Sequence, residues 1–160
     1  YTCFLNGNEN ACTPEMFVRY AQIAALMPVM QFSASPWRVL PEADFQKVKD
    51  ALALREKCLP EILKAVENAK ATGEPIARSM EFVFPGQGAQ YTGMAKDQFM
   101  VGDALLVAPV WKQGEVVRSV TLPEGQWRCV GLGETEGDVL NGGRDVVLGE
   151  NDVLVVLRRE

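Results

Sequence analysis

Apolar residues recur at helical spacing in the first half of the chain and in short runs in the second. Phe17, Tyr20, Ala21, Ala24 and Ala25 share one helical face. They follow Thr13-Pro14-Glu15, an N-cap, a first-turn proline and an acidic first turn. This predicts a helix closely packed through its alanines and ended by Pro28. Residues 29–33 read as a buried strand, closed by a loop over residues 34–38. A second helix opens at Pro41-Glu42 and carries Leu59, Ile62, Leu63 and Val66 on one face. Pro60 either interrupts it or starts a new helix, and Thr72-Gly73-Glu74-Pro75 stops it. Ahead of these lie a β-prone run, residues 1–5, and a polar loop, residues 6–10.

The rhythm changes at Pro75. Runs at residues 76–84, 99–101, 104–110, 115–122, 126–130, 138–140, 145–148 and 153–157 alternate with Gly-containing turns at roughly ten-residue spacing, the pattern of an antiparallel β-sandwich. Gly102-Asp103 predicts a tight turn. The run after it, residues 104–110, is almost wholly apolar, which predicts a strand covered on both faces or lying where two packed units meet. The fold class is therefore α/β followed by all-β. Residues 1–73 read as strand–helix–strand–helix, too short to close a sheet of their own. They fit a terminal piece of a larger α/β sheet or barrel, and residues 74–160 a sandwich.

Composition narrows the function classes. A net charge of −5 without a basic stripe argues against nucleic acid. No window of about 18 apolar residues exists to span a membrane. The chain starts at Tyr1 inside an apolar run, which points to a start further upstream. Cys3, Cys12, Cys58 and Cys129 permit a disulfide framework, but their wide separation and the 48% apolar content favour thiols in a reducing compartment such as the cytoplasm. There is no histidine, which removes Ser-His and Cys-His nucleophile pairs and the usual zinc ligands.

In a barrel, chemistry sits at the carboxyl ends of strands. Two stretches qualify, residues 6–10 with Asn6, Asn8 and Asn10, and residues 31–38. In the second, Gln31 and Ser33 alternate with Met30 and Phe32. Trp37 offers a flat face to a sugar ring, and Arg38 a fixed cation. The carboxylates form no pair by spacing: Glu9, Glu42 and Asp44 lie near loop ends, and Glu134, Glu136 and Asp138 in a solvated loop. Gly86-Gln87-Gly88 has no lysine at phosphate-loop spacing and reads as a turn. Trp111 and Trp127 could form a stacking platform in a noncatalytic carbohydrate-binding sandwich; core packing is the plainer fate of both. A purely structural module is a third reading.

Four segments together resemble the carboxyl-terminal third of glycoside hydrolase family 31 enzymes: FVRYAQIAALMPVMQFSASPW (residues 17–37), TGEPIARSMEFVFP (72–85), DQFMVGDALLVAPV (97–110) and VTLPEGQW (120–127). The MPVMQFSASPW form is most similar to the branch containing the myogenesis-regulating glycosidase. The resemblance implies that residues 1–73 are the last two strand–helix units of a (β/α)8 barrel and residues 74–160 the adjoining β-sandwich. It implies hydrolysis of terminal α-linked hexoses, glucosides or galactosides, with retention and without a metal or organic cofactor. The two aspartates of that chemistry, about 5 Å apart, come in the family from earlier barrel strands. The partners are then an oligosaccharide or glycoside substrate and the rest of the barrel, and this segment alone is expected to be inactive. Many members bind the sugar with an aspartate ending the seventh strand and with Arg and His after the eighth. Here residues 1–13 hold no aspartate, and the latter positions read Gln31 and Ser33. With Trp37, these two are the substrate-binding residues the resemblance carries over.

Overall fold

A computed structural model of the protein describes residues 12–87, 97–131, 136–148 and 154–160. Helix α1 spans Pro14–Ala25 and starts as its sequence dictates: the Thr13 hydroxyl accepts the Met16 N–H at 3.2 Å. A single turn, α2, covers Pro36–Val39. Helix α3 runs unbroken over Glu42–Thr72. Glu42 and Asp44 in its first turn and Lys70 in its last complement the helix dipole, and Gly73 ends it in the left-handed conformation at φ 79°. Pro60 removes one donor inside α3. Pro60 and Glu56, whose carbonyl loses that donor, are both exposed residues of a helix that continues to Thr72.

The strands follow: β1 (Ala77–Arg78), β2 (Phe99–Val101), β3 (Leu105–Ala108), β4 (Arg118–Leu122), β5 (Gln126–Cys129), β6 (Val139–Asn141), β7 (Arg144–Leu148) and β8 (Val155–Arg159). The short helix α4, Met80–Val83, lies between β1 and β2. Among the described residues they form two antiparallel sheets, one in the order β1-β2-β3-β8-β5-β6 and one pairing β4 with β7. The hairpin β2–β3 pairs Val101 with Leu105, leaving Gly102, Asp103 and Ala104 to turn the chain. Gly102 has φ 56°, and a Cβ there would lie 3.0 Å from the Ala65 Cβ of α3, so glycine serves both the turn and the close approach.

The large sheet is covered on both faces. Leu105 and Val107 of β3 pack with Ala25, Leu54, Cys58, Ile62 and Ala65 of the helices. Leu106 and Ala108 point the other way, into a cluster with Val120 and Leu122 of the small sheet and Trp127 of β5. All four β3 residues are buried, which is why the segment carries no polar alternation. Burying each large aliphatic side chain stabilises by about 1.5–3 kcal/mol, so β3 ties both cores together.

Four sequence expectations are corrected. Residues 29–33 form no strand among the described residues. Val29, Gln31, Phe32 and Ser33 are exposed rather than buried, with Val29 at 81%. A strand requires a laddered neighbour, and no described strand lies beside this segment; the first expected neighbour, residues 1–5, is outside the described residues. The closing loop expected after it contains α2. The run at residues 76–84 splits into β1 and α4, because the Ser79 hydroxyl accepts the Phe82 N–H and caps a new helical turn. On α3, Ile62 is buried, but Leu59 and Leu63 are exposed; the packed face is Val48, Ala51, Leu54, Cys58, Ile62 and Ala65.

Candidate functional site

Helix α1 is fixed at its amino end by one buried arginine. Arg19 is 6% exposed. Its guanidinium donates to the Glu15 carboxylate at 2.7 Å, to the Val110 carbonyl at 3.0 Å and to the Glu115 carbonyl at 2.6 Å. Glu15 in turn accepts the Gly114 N–H at 2.8 Å. That hydrogen bond, and then the one from Arg19, hold the Glu15 carboxyl below the usual carboxylate range. The connection between β3 and β4 is thereby bound to the first two turns of α1.

The stretch carrying the sequence-predicted site returns to the same end of the helix. Phe32 stacks on Phe17, the fourth residue of α1, with ring centroids 6.1 Å apart and planes 2° from parallel. Met30 packs against both helical clusters. Arg55 of α3 holds the other end of the excursion: it donates to the carbonyls of Ala25 and Met27, each at 2.6 Å, and of Pro28 at 3.1 Å. These carbonyls belong to the last residue of α1 and the residues after it, where no intrahelical donor remains for them.

Gln31 and Ser33 are exposed on this stretch. Trp37 follows in α2, 67% exposed, with Phe45 edge-on at 6.5 Å. Arg38 is exposed. The three predicted residues thus share one segment whose direction is set by the Phe17–Phe32 stack and by Arg55. Asn6, Asn8, Asn10 and Glu9 lie outside the described residues, as does Glu134. Glu42 pairs with Lys49 at 3.4 Å, Asp44 with Lys47 at 3.2 Å and Glu136 with Lys57 at 2.6 Å. These are exposed or half-exposed ion pairs, not an acid–nucleophile arrangement. Among the described residues no group of three acidic, cysteine or histidine side chains is placed to hold a metal ion. Nor is any described helix long and apolar enough to cross a membrane.

The two sandwich tryptophans differ. Trp127 is fully buried, donates to the Pro123 carbonyl at 2.8 Å and meets Phe84 edge-on, so it cannot stack on a sugar. The expected alternative of a Trp111–Trp127 platform therefore fails. Trp111 is 55% exposed. The groups that position the site are Arg19, Arg55 and Phe32. Local sequence alone assigns neither arginine a role. A cation on an otherwise apolar helix face was the available signal.

Residues 73–154 match the family model for the glycosyl hydrolase family 31 C-terminal domain. The chain belongs to glycosyl hydrolase family 31. It is 38% identical over 124 residues to the myogenesis-regulating glycosidase of Mus musculus, a match covering 76% of this chain and 17% of that protein. Among solved structures it resembles a family 31 α-xylosidase from a soil metagenome, complexed with xylose. Identity there is 27% and the TM-score 0.79, over 94% of this chain and 25% of that one. It also resembles the cycloalternan-degrading enzyme of Trueperella pyogenes in complex with a covalent intermediate, with 26% identity and a TM-score of 0.78 over 92% of this chain and 22% of that one. The chain thus spans about a fifth of the length of the curated relatives it matches.

Proposed function

We propose that this family 31 chain is the carboxyl-terminal part of a retaining α-glycosidase that hydrolyses terminal α-linked hexoses, glucosides or galactosides. The observation that carries this is the similarity to an enzyme solved with a covalent intermediate. A covalent glycosyl-enzyme belongs to the double-displacement route, in which one carboxylate attacks the anomeric carbon and a second group protonates the leaving oxygen. Glu42, Asp44 and Glu136 are engaged in ion pairs, and the reacting pair is assigned to the remaining four-fifths of the enzyme. In this reading residues 1–73 are the carboxyl-terminal part of the (β/α)8 barrel and residues 74–160 the β-sandwich.

The stretch from Gln31 to Trp37 then forms part of the sugar subsite. Gln31 and Ser33 supply neutral donors and acceptors for sugar hydroxyls, and Trp37 an apolar face. The path of this stretch supports that role. Stacking of Phe32 on Phe17 returns it to the amino end of α1, and in a barrel the chemistry gathers at the face where the helices begin.

Nitrophenyl α-glucoside and α-galactoside assays test the assignment on two chains, the 160 residues alone and a longer chain with the whole barrel. Turnover is expected only from the longer one. In that longer chain, Gln31→Ala and Ser33→Ala are expected to raise KM. Turnover by the 160 residues alone would overturn the proposed division of labour.

A further inference from the structure

The β3–β4 connection presents a tryptophan that the fold holds rigidly but does not bury. The residues before Trp111 are clamped on both carbonyls: Arg118 donates to Pro109, and Arg19 to Val110. Both arginines are buried. The indole N–H of Trp111 donates to Asp97 at 3.1 Å, and the other oxygen of Asp97 accepts Arg118 at 2.6 Å. The Lys112 ammonium lies 5.4 Å from the centre of the Trp111 ring and 3.1 Å from Glu115. Core packing gives no reason for such support around a ring that is more than half exposed. A ring fixed in advance loses little entropy on binding a ligand, which is the requirement for a stacking platform.

Its position gives the support a purpose. The bonds from Glu15 to Gly114 and from Arg19 to Glu115 place the turn after Trp111 at the amino end of α1. The Phe17–Phe32 stack places the Gln31–Ser33 stretch at that same end. Loops that follow barrel strands gather at the face where the following helices begin.

We propose that Trp111 is a second sugar-stacking platform, contributed by the β-sandwich. It receives the apolar C–H face of a pyranose in a neutral oligosaccharide whose terminal unit occupies the Gln31–Trp37 subsite. Lys112 and Asp97 stand beside the ring with groups suited to sugar hydroxyls. This inference rests on the α-glycosidase reading for its ligand class, and it assigns Trp111 a binding role, not a catalytic one.

The test is a titration of the 160-residue chain, with nitrogen-15 in its indoles, against isomaltotriose. Trp37, Trp111 and Trp127 give three separate indole signals because their N–H environments differ. The Trp111 and Trp37 signals are expected to move and the buried Trp127 signal to stay. Saturation transfer to the trisaccharide is expected to show affinity weakened at least about tenfold in Trp111→Ala, with Trp111→Phe retaining binding within roughly threefold of wild type. Near-ultraviolet dichroism of Trp111→Phe checks that the junction is intact. Movement of Trp37 with Trp111 silent would overturn the platform and leave the Gln31–Trp37 subsite standing. Movement of Trp111 alone would support the platform and remove Trp37 from the subsite. Silence at both, or an equal response to glycerol, would overturn the inference.

Discussion

Single side chains fix this molecule where its elements meet, and Arg19 with Glu15 is the clearest case. Glu15 has a folded pKa below its ordinary value of 4.5, chiefly through the Gly114 N–H and then through Arg19. Its contribution to stability is present above the unfolded value and is lost as pH falls through the folded one. Acidification below about pH 4.5 is therefore expected to lower the melting temperature more steeply in wild type than in Glu15→Gln. Thermal melts at stepped pH measure this, and parallel slopes would contradict it. Cys58 is the opposite case: burial first, and then Glu61, push its thiol from 9.0 up to about 11. The protonated thiol is the form the fold holds, so stability is full below 9.0 and declines as pH rises towards about 11. Cys58 is accordingly expected to resist thiol reagents at pH 8 until urea unfolds the chain; rapid labelling of the native protein would refute its placement. Neither arrangement was legible in the sequence. Arg19 reaches a carbonyl 91 residues away, and no local pattern encodes such a partner.

Elements were legible wherever local chemistry and tertiary context agreed. The Thr13 cap, the Gly73 stop and the limits of β2 follow from residue types alone. The unbroken apolarity of β3 announced two covered faces, and the structure supplies helices on one and the small sheet on the other. The face of α3 was misread because leucine, isoleucine and valine occur around much of its circumference, so spacing could not choose between them. Only the position of the sheet selects Leu54, Cys58, Ile62 and Ala65. Two substitutions probe this level. Leu106→Ala is expected to cost about 2–5 kcal/mol, because the void opens beneath the small sheet. Gly102→Ala is expected to cost about 1–2 kcal/mol for its positive φ, and more where Ala65 cannot recede from 3.0 Å. Urea denaturation measures both, and a neutral Gly102→Ala would show that the hairpin does not rest on α3.

At the scale of the whole molecule, the 160 residues carry a firmly built sandwich and helix layer beside a surface that asks for more protein. Tyr20 at 74% and Val29 at 81% exposure, with Met16, are apolar groups that an isolated domain seldom leaves in water. In the proposed barrel they face the neighbouring strand–helix units. The isolated chain is therefore expected to self-associate with rising concentration. Sedimentation should show Tyr20→Lys with Val29→Lys shifting it towards monomer, and an unchanged distribution would place the contact elsewhere. Family membership could be recognised from four sequence segments, and residues 73–154 carry the family-model match. The site was less legible, because its residues are held by stacking and by long-range arginine bonds. The most direct measurement of the central claim is the anomer first released by the longer, barrel-containing chain from a nitrophenyl α-glycoside, followed by proton NMR. The account predicts the α-anomer first; the β-anomer first would contradict it.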